Sequence, residues 1–216
     1  MKKQLALASL AAFVLACQET PVDLGKPAFD VGAGNSGMNL HPRGFGENSF
    51  AAWRAKEGLP DDNGKANQAL YLQKFTATAT FAAAVVIIDG LEGTPAADLT
   101  KLSWEHRNDG WCGAGAPRWN IGLTDADGVD HTVMLGCYYA THSTGGATDW
   151  TKDEFSQADI TAAIVAAGVN PADATIRGLA IVFDEGTDVP LNPGFVYLDN
   201  ITVNTTVWKS PSANSK

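Results

Sequence analysis

Trp111–Tyr139, WCGAGAPRWNIGLTDADGVDHTVMLGCYY, sets two alternating segments on either side of Asp127-Gly128 and places a cysteine near each end. An Asp-Gly pair between alternating segments is a strong hairpin signal. Apolar residues recur at every second position, as Trp119, Ile121 and Leu123 on one arm and Val133, Leu135 and Cys137 on the other. Pairing Trp119 with Cys137, Ile121 with Leu135 and Leu123 with Val133 brings all six to one face. A one-residue slip would turn polar residues toward the core. The opposite face then carries Arg118 beside Tyr138 and Asn120 beside Gly136. Cys112 precedes a flexible Gly-Ala-Gly-Ala-Pro segment and reaches back to Cys137. A bridge there contributes about 3–4 kcal/mol by the loop-entropy argument. Two buried free thiols are the alternative, and an exported chain favours the bridge.

Outside this block, Gly, Asp, Asn and Pro clusters punctuate further strand-like runs, with no repeat or internal linker. Strands are expected near residues 50–54, 69–80, 81–89, 99–107, 118–124, 132–137, 150–155, 176–184 and 195–204. Phe81–Ile88 is apolar on both faces, as in a strand covered on both sides. In YLDNITV the apolar phase slips between Leu198 and Ile201, which predicts a bulge at Asp199-Asn200. One helix is expected over about 157–167. Ser156 caps it with Asp159 three residues on, Ile160, Ala163, Ile164 and Ala167 form its stripe, and Gly168 and Pro171 end it. The fold class is all-β, an antiparallel sandwich with one short helix, and residues 29–209 form a single domain.

The first residues read as an export signal over 1–16: Lys2-Lys3, then a 12-residue apolar run from Leu5 to Ala16 that is too short for a membrane span. Val14-Leu15-Ala16-Cys17 resembles the bacterial lipobox. Lipidation of Cys17 would leave Cys112 and Cys137 as a pair among three cysteines. Cleavage near Ala16 with free secretion is the rival. Residues 17–28 look like a tether and 210–216 like a frayed tail. The formal charge is −9 and no basic cluster occurs. That argues against a nucleic-acid or anionic-membrane partner. The expected location is the cell envelope or beyond it, with membrane contact only through a lipid on Cys17.

The closing run Phe195-Val196-Tyr197-Leu198-Asp199-Asn200-Ile201 resembles the last strand of jelly-roll carbohydrate-binding modules and galactose-binding-like domains. CGAGAPRWN, LGC and IVFDEGTD together resemble uncharacterised secreted bacterial proteins with that closing strand. The resemblance implies a jelly roll. It also implies a structural calcium on Asp199 with an early-strand partner, for which Asp30 in AFDVG is the candidate. It does not by itself establish sugar binding.

Chemical signatures are sparse. Asp125, Asp127 and Asp130 lack the glycine position and distal glutamate of a calcium loop and read as a hairpin turn. Asp184, Glu185 and Asp188 read first as an acidic loop at a strand end, then as calcium ligands or an acid/base pair. His41, His106, His131 and His142 show no metal-ligand spacing, and no nucleophile motif is present. Trp111, Tyr138 and Tyr139 cluster near the disulfide, and Arg118, Asn120, Glu105 and Arg107 are candidates to line an outward sheet face. Such a set offers aromatic faces and planar polar groups to a sugar. Alternatively the tryptophans are core and Arg118 pairs with Glu105. The expected function is non-catalytic recognition of a glycan or other envelope component. The runner-up is a structural or adhesive protein binding another protein, and a polysaccharide hydrolase or lyase using Glu105 ranks third.

Overall fold

The computed structural model describes residues 37–61, 67–211 and the backbone of 213–215. The export segment, Cys17, the tether and Asp30 lie outside the described residues. The strands are β1 (Asn39–Phe45), β2 (Ser49–Arg54), β3 (Ala69–Lys74), β4 (Ala83–Asp89), β5 (Lys101–Arg107), β6 (Arg118–Thr124), β7 (Asp130–Gly136), β8 (Thr141–Thr144), β9 (Trp150–Ser156), β10 (Thr175–Phe183), β11 (Phe195–Val203), β12 (Thr206–Trp208) and β13 (Ala213–Ser215). Helix α1 spans Gln157–Ala166.

Two antiparallel sheets result. The first has the order β1-β4-β10-β6-β7. The second runs β13-β12-β11-β5-β9-β8, with β3 also paired to β11 and β2 to β3. Without the flanking strands, the two layers are β4-β10-β6-β7 and β3-β11-β5-β9. Each step from β3 to β6, and from β9 to β11, crosses between layers, so β6–β7 is the one hairpin of this eight-strand set. That alternation is the double Greek key of a jelly roll.

The core lies between the layers. Trp104 of β5 and Trp119 of β6, both fully buried, stack at 5.0 Å between ring centroids and join the sheets. Leu70, Leu72, Leu102, Phe155 and Leu198 face Val86, Ile88, Ile121, Ile181 and Phe183 in the same cluster. As expected, β4 is apolar on both sides: Ala84, Val86 and Ile88 join the main core, while Ala83 and Val85 join Ala180 and Val182 on the other face. The bulge in β11 is present, with the register shifting between Asp199 and Thr202 and Asn200 at φ +46°. Helix α1 has the reciprocal Ser156–Asp159 capping box, buries Ile160 and Ile164, and packs against β7 and β9.

Three expectations change. The β6–β7 register pairs Trp119 with Leu135, Ile121 with Val133 and Leu123 with His131, two residues from the expected one. An even slip keeps every side chain on its face. Its cause is the turn. Asp125 N–H donates to the Val129 carbonyl, while Asp125 Oδ1 accepts from the Asp127 and Val129 amides, giving a five-residue loop rather than a tight Asp-Gly turn. Arg118 therefore faces Gly136, not Tyr138. A Cβ at Gly136 would collide with the Ala114 carbonyl of the crossing loop. Second, the 69–80 run leaves the sheet after Lys74, whose ammonium turns back to the Thr78 and Thr80 carbonyls. Third, β1, β8 and β12 were not anticipated, and the backbone of Ala213–Ser215 pairs with β12 within the segment read as a tail.

The slip leaves Cys137 beyond the ladder, on a 3-10 turn over Cys137–Tyr139 whose first amide donates to Pro117. There it bonds to Cys112, with the Cα atoms 5.3 Å apart. The bridge closes 25 residues of separation. Replacing both cysteines with alanine is expected to lower the unfolding free energy by about 3 kcal/mol in urea titration; a loss under about 1 kcal/mol would mean that this end is held without it.

Candidate functional site

The end of the sandwich around the disulfide gathers Trp111, Arg118, Asn120, Tyr138 and Tyr139. Trp111 is half-buried and donates its indole N–H to Glu185. Arg118 and Asn120 do lie on the face of β6 opposite Trp119, yet both are buried. The guanidinium makes four hydrogen bonds: Nη1 and Nη2 donate to the two Asp184 oxygens, Nη1 also donates to the Gly115 carbonyl, and Nε donates to Asn120 Oδ1 at 2.9 Å. This bidentate pair replaces the expected Arg118–Glu105 alternative. Register explains it, since Arg118 pairs with Val182 and Asp184 follows β10 directly.

The acidic 184–188 loop is thereby pinned. Asp188 accepts from the Thr78 amide and hydroxyl, which holds its carboxyl below the usual range. The buried Lys74 ammonium is pulled down by desolvation, against the opposing pull of Asp184 and Asp188.

Tyr138 and Tyr139 follow Cys137 on its turn and stay 65% and 68% exposed. Their rings meet edge-on, 5.4 Å apart at 84°. Behind them His142 Nδ1 lies 2.7 Å from Asp153 Oδ1, and Nε2 lies 3.3 Å from the Tyr138 carbonyl. Asp153 is fully buried, and its Oδ2 meets Trp104 Nε1 at 2.8 Å and His106 Nδ1. A shallow polar recess of about 320 Å³ opens beside His142, lined by Asn108, Ser143, Thr144 and Thr151 among others.

Glu105 and Arg107 belong to the other sheet. Glu105 accepts from Asn200 Nδ2 at 2.8 Å and from the Gly146 amide. Arg107 pairs with Glu57 and Asp109 and lies 3.8 Å over the Tyr197 ring. Tyr197 is part of a patch that sequence reasoning missed. Phe50, Tyr71, Phe195 and Tyr197 touch ring to ring across β2, β3 and β11, with Arg54 over Phe50 and Tyr71. The signal was present: Tyr71, Phe195 and Tyr197 alternate with Leu70, Leu72, Val196 and Leu198, which occupy the core.

Asp199 is buried, accepting from the Leu59 amide on Oδ2 and from the Asn200 amide on Oδ1. Burial pushes its carboxyl up to about 7, with Asp61 and Glu105 adding to the rise. Asp61 Oδ2 and Gln68 Oε1, in the neighbouring loop, are buried without a hydrogen-bond partner among the described residues. Oxygen donors of this kind fit a hard divalent cation. No helix among the described residues is long and apolar enough to cross a membrane.

No protein-family model and no curated protein matches the chain. Among solved structures it resembles the family 30 carbohydrate-binding module of a cellulosomal cellulase of Clostridium thermocellum, at TM-score 0.41 and 14% identity over 70% of this chain and 84% of that one. It also resembles the family 11 module of another cellulosomal cellulase of that organism, at 0.40 and 12% over 76% and 86%. A xylan-binding domain of family 22 follows, at 0.35 and 12% over 84% and 94%. The jelly-roll assignment rests on the strand order of the two layers.

The raised Asp199 carboxyl sets a pH dependence. Its proton is held more tightly in the folded state than in the unfolded chain, so its stabilising contribution is complete below pH 3.8 and is lost as pH rises toward 7. In metal-free buffer, stability is expected to fall by about 3 kcal/mol between pH 5 and pH 8 from this group. Asp199→Asn should be less stable throughout but lack that slope in urea titrations. An identical slope in the variant would refute the assignment.

Proposed function

We propose that this chain is an exported, non-catalytic carbohydrate-binding protein whose contact surface is the Tyr138–Tyr139 turn. The observation carrying this reading is two adjacent tyrosines left largely exposed on a turn tied covalently to the core through Cys137. Isolated exposed aromatics are ordinary, whereas a paired, immobilised set offers an apolar face at little entropic cost. Sugar rings present C–H faces to aromatics and hydroxyls to planar acceptors and amides. The exposed phenols and the Ser143, Thr144 and Asn108 recess supply both kinds of contact. Asp184 and Glu185, the nearby carboxylates, are tied to Arg118 and Trp111, which favours binding over acid/base chemistry.

Screening against soluble polysaccharides should find a ligand whose affinity drops at least tenfold in Tyr138→Ala/Tyr139→Ala, with an unchanged melting temperature. Absence of any glycan ligand, or full affinity in the double variant, would defeat the reading. The runner-up, adhesion to another protein, draws on the Phe50–Tyr71–Tyr197 patch with Arg54, a composition typical of protein-binding hot spots. Capture of one envelope protein, lost in Arg54→Ala, with no polysaccharide retained, would move the function there.

The same proposal includes lipidation at Cys17, the cysteine left over once Cys112 and Cys137 are paired. Membrane association in a bacterial host that disappears in Cys17→Ser is the expected result; unchanged partitioning would favour free secretion. It also includes a structural calcium held by Asp199 with Asp61 as neighbour. Calcium should raise the melting temperature at pH 8 in the wild type and not in Asp199→Asn, whereas equal stabilisation of both would exclude Asp199 as a ligand.

A further inference from the structure

Cys112 and Cys137 are not alone at their end of the core. One ligand atom each from His106, Cys112, Cys137 and Asp153 lie within 4.8 Å of one another. Cys137 Sγ is 3.5 Å from Asp153 Oδ2 and 3.9 Å from His106 Nδ1. Cys137 and Asp153 are fully buried, His106 nearly so, and Cys112 half-buried on the Gly-Ala-Gly-Ala-Pro loop. As long as the sulfurs are bonded to each other they are poor metal ligands. Reduction changes that chemistry and frees the two sulfurs to separate.

We infer that the reduced chain carries a zinc site composed of Cys112 Sγ, Cys137 Sγ, His106 Nδ1 and Asp153 Oδ2. Zinc bonds of about 2.3 Å to sulfur and about 2.0 Å to nitrogen and oxygen give tetrahedral edges of about 3.8 Å for S–S, 3.5 Å for S–N or S–O and 3.3 Å for N–O. The observed Cys137 distances of 3.5 and 3.9 Å already match those edges to within a few tenths. Two adjustments complete the tetrahedron. The sulfurs part to about their non-bonded separation, as reduction itself requires, and the His106–Asp153 contact opens by about 0.8 Å to admit the ion. The loop bearing Cys112, with Gly113 and Gly115, can supply the movement.

The surrounding bonds suit such a site. His142 holds the second Asp153 oxygen at 2.7 Å and Trp104 donates to the ligating one at 2.8 Å, so the carboxylate is oriented from behind. Outer partners of this sort are what hold metal ligands in place. The chemistry balances with a phosphine as reductant. Disulfide, phosphine and water give two thiols and a phosphine oxide. Zinc then displaces the two thiol protons to solvent, and the proton between His106 Nδ1 and Asp153 Oδ2 passes to Nε2, which frees Nδ1 to ligate.

The test uses the full chain with Cys17→Ser, so that the third thiol cannot contribute, reduced with a water-soluble phosphine. About one zinc per chain should bind after reduction and essentially none before it. Cobalt in place of zinc should show the visible bands of tetrahedral coordination with a thiolate charge-transfer band. His106→Gln should weaken zinc binding at least tenfold, whereas His131→Gln, at the start of β7 beside the β6–β7 turn, should not. Zinc should also raise the melting temperature of the reduced chain toward that of the oxidised one, a readout that keeps Asp153→Asn interpretable if it folds poorly. No zinc uptake on reduction, an octahedral cobalt spectrum, or unchanged affinity in His106→Gln would each overturn the site.

Discussion

One buried carboxylate couples the parts of this sandwich. Asp153 has no solvent exposure, and a charge there is tolerated only because donors surround it. Trp104 Nε1 and His106 reach one oxygen, and His142 reaches the other. Trp104 in turn stacks on Trp119 across the two sheets, while His142 touches the carbonyl of Tyr138. The centre of the core and the exposed tyrosine turn are therefore linked through one side chain on β9. Removing that carboxylate would leave an unsatisfied indole N–H inside the core and loosen the turn from behind.

Much of this fold was legible because its signals are periodic. Leucine, valine and isoleucine at every second position reveal a strand and its faces, and a phase slip such as the one at Asp199-Asn200 reveals a bulge. Chain-local capping made α1 legible to within a residue. The β6–β7 register was legible only modulo two. Alternation determines which face a residue takes, but the exact pairing depends on Asp125 folding its carboxylate over the Asp127 and Val129 amides. That choice between turn types is worth little energy and leaves no trace in the apolar pattern. β1 and β8 were missed for a related reason: NLHPRGF and THST are mostly polar or part-exposed, as edge strands often are.

Site residues were harder, since exposure is a property of the whole layer. Arg118 and Asn120 were placed on the correct face, yet a face turned from the core is not thereby wet. Asp184, 66 residues away in sequence, follows the strand beside Arg118 and takes both ends of its guanidinium. Nothing local to either segment announces the pair. Conversely, the aromatic patch over β2, β3 and β11 is built from single residues of three distant segments, each ordinary on its own. Only sheet order brings them together.

If the disulfide end binds a glycan as proposed, these placements narrow what it can recognise. Arg118, the strongest planar donor there, is spent on Asp184, and Trp111 is spent on Glu185. An acidic ligand would meet a surface whose cation is already neutralised and whose neighbours are carboxylates. What the turn presents is two tyrosine rings at right angles with their phenols, beside a recess lined by Ser143, Thr144 and His142 in which the Thr151 hydroxyl donates to Asn108 Oδ1. Rings set edge-on cannot form one flat platform, so a long ribbon-like chain would rest on a single ring face at a time. On the proposed reading, a short stretch of neutral sugar that bends around the turn would fit this geometry better than an extended, charged polymer. The same reasoning explains why the turn is tied down on three sides, by Cys112, by the Gly113 and Pro117 carbonyls and by His142. A surface with so few contacts to offer must lose little entropy in making them.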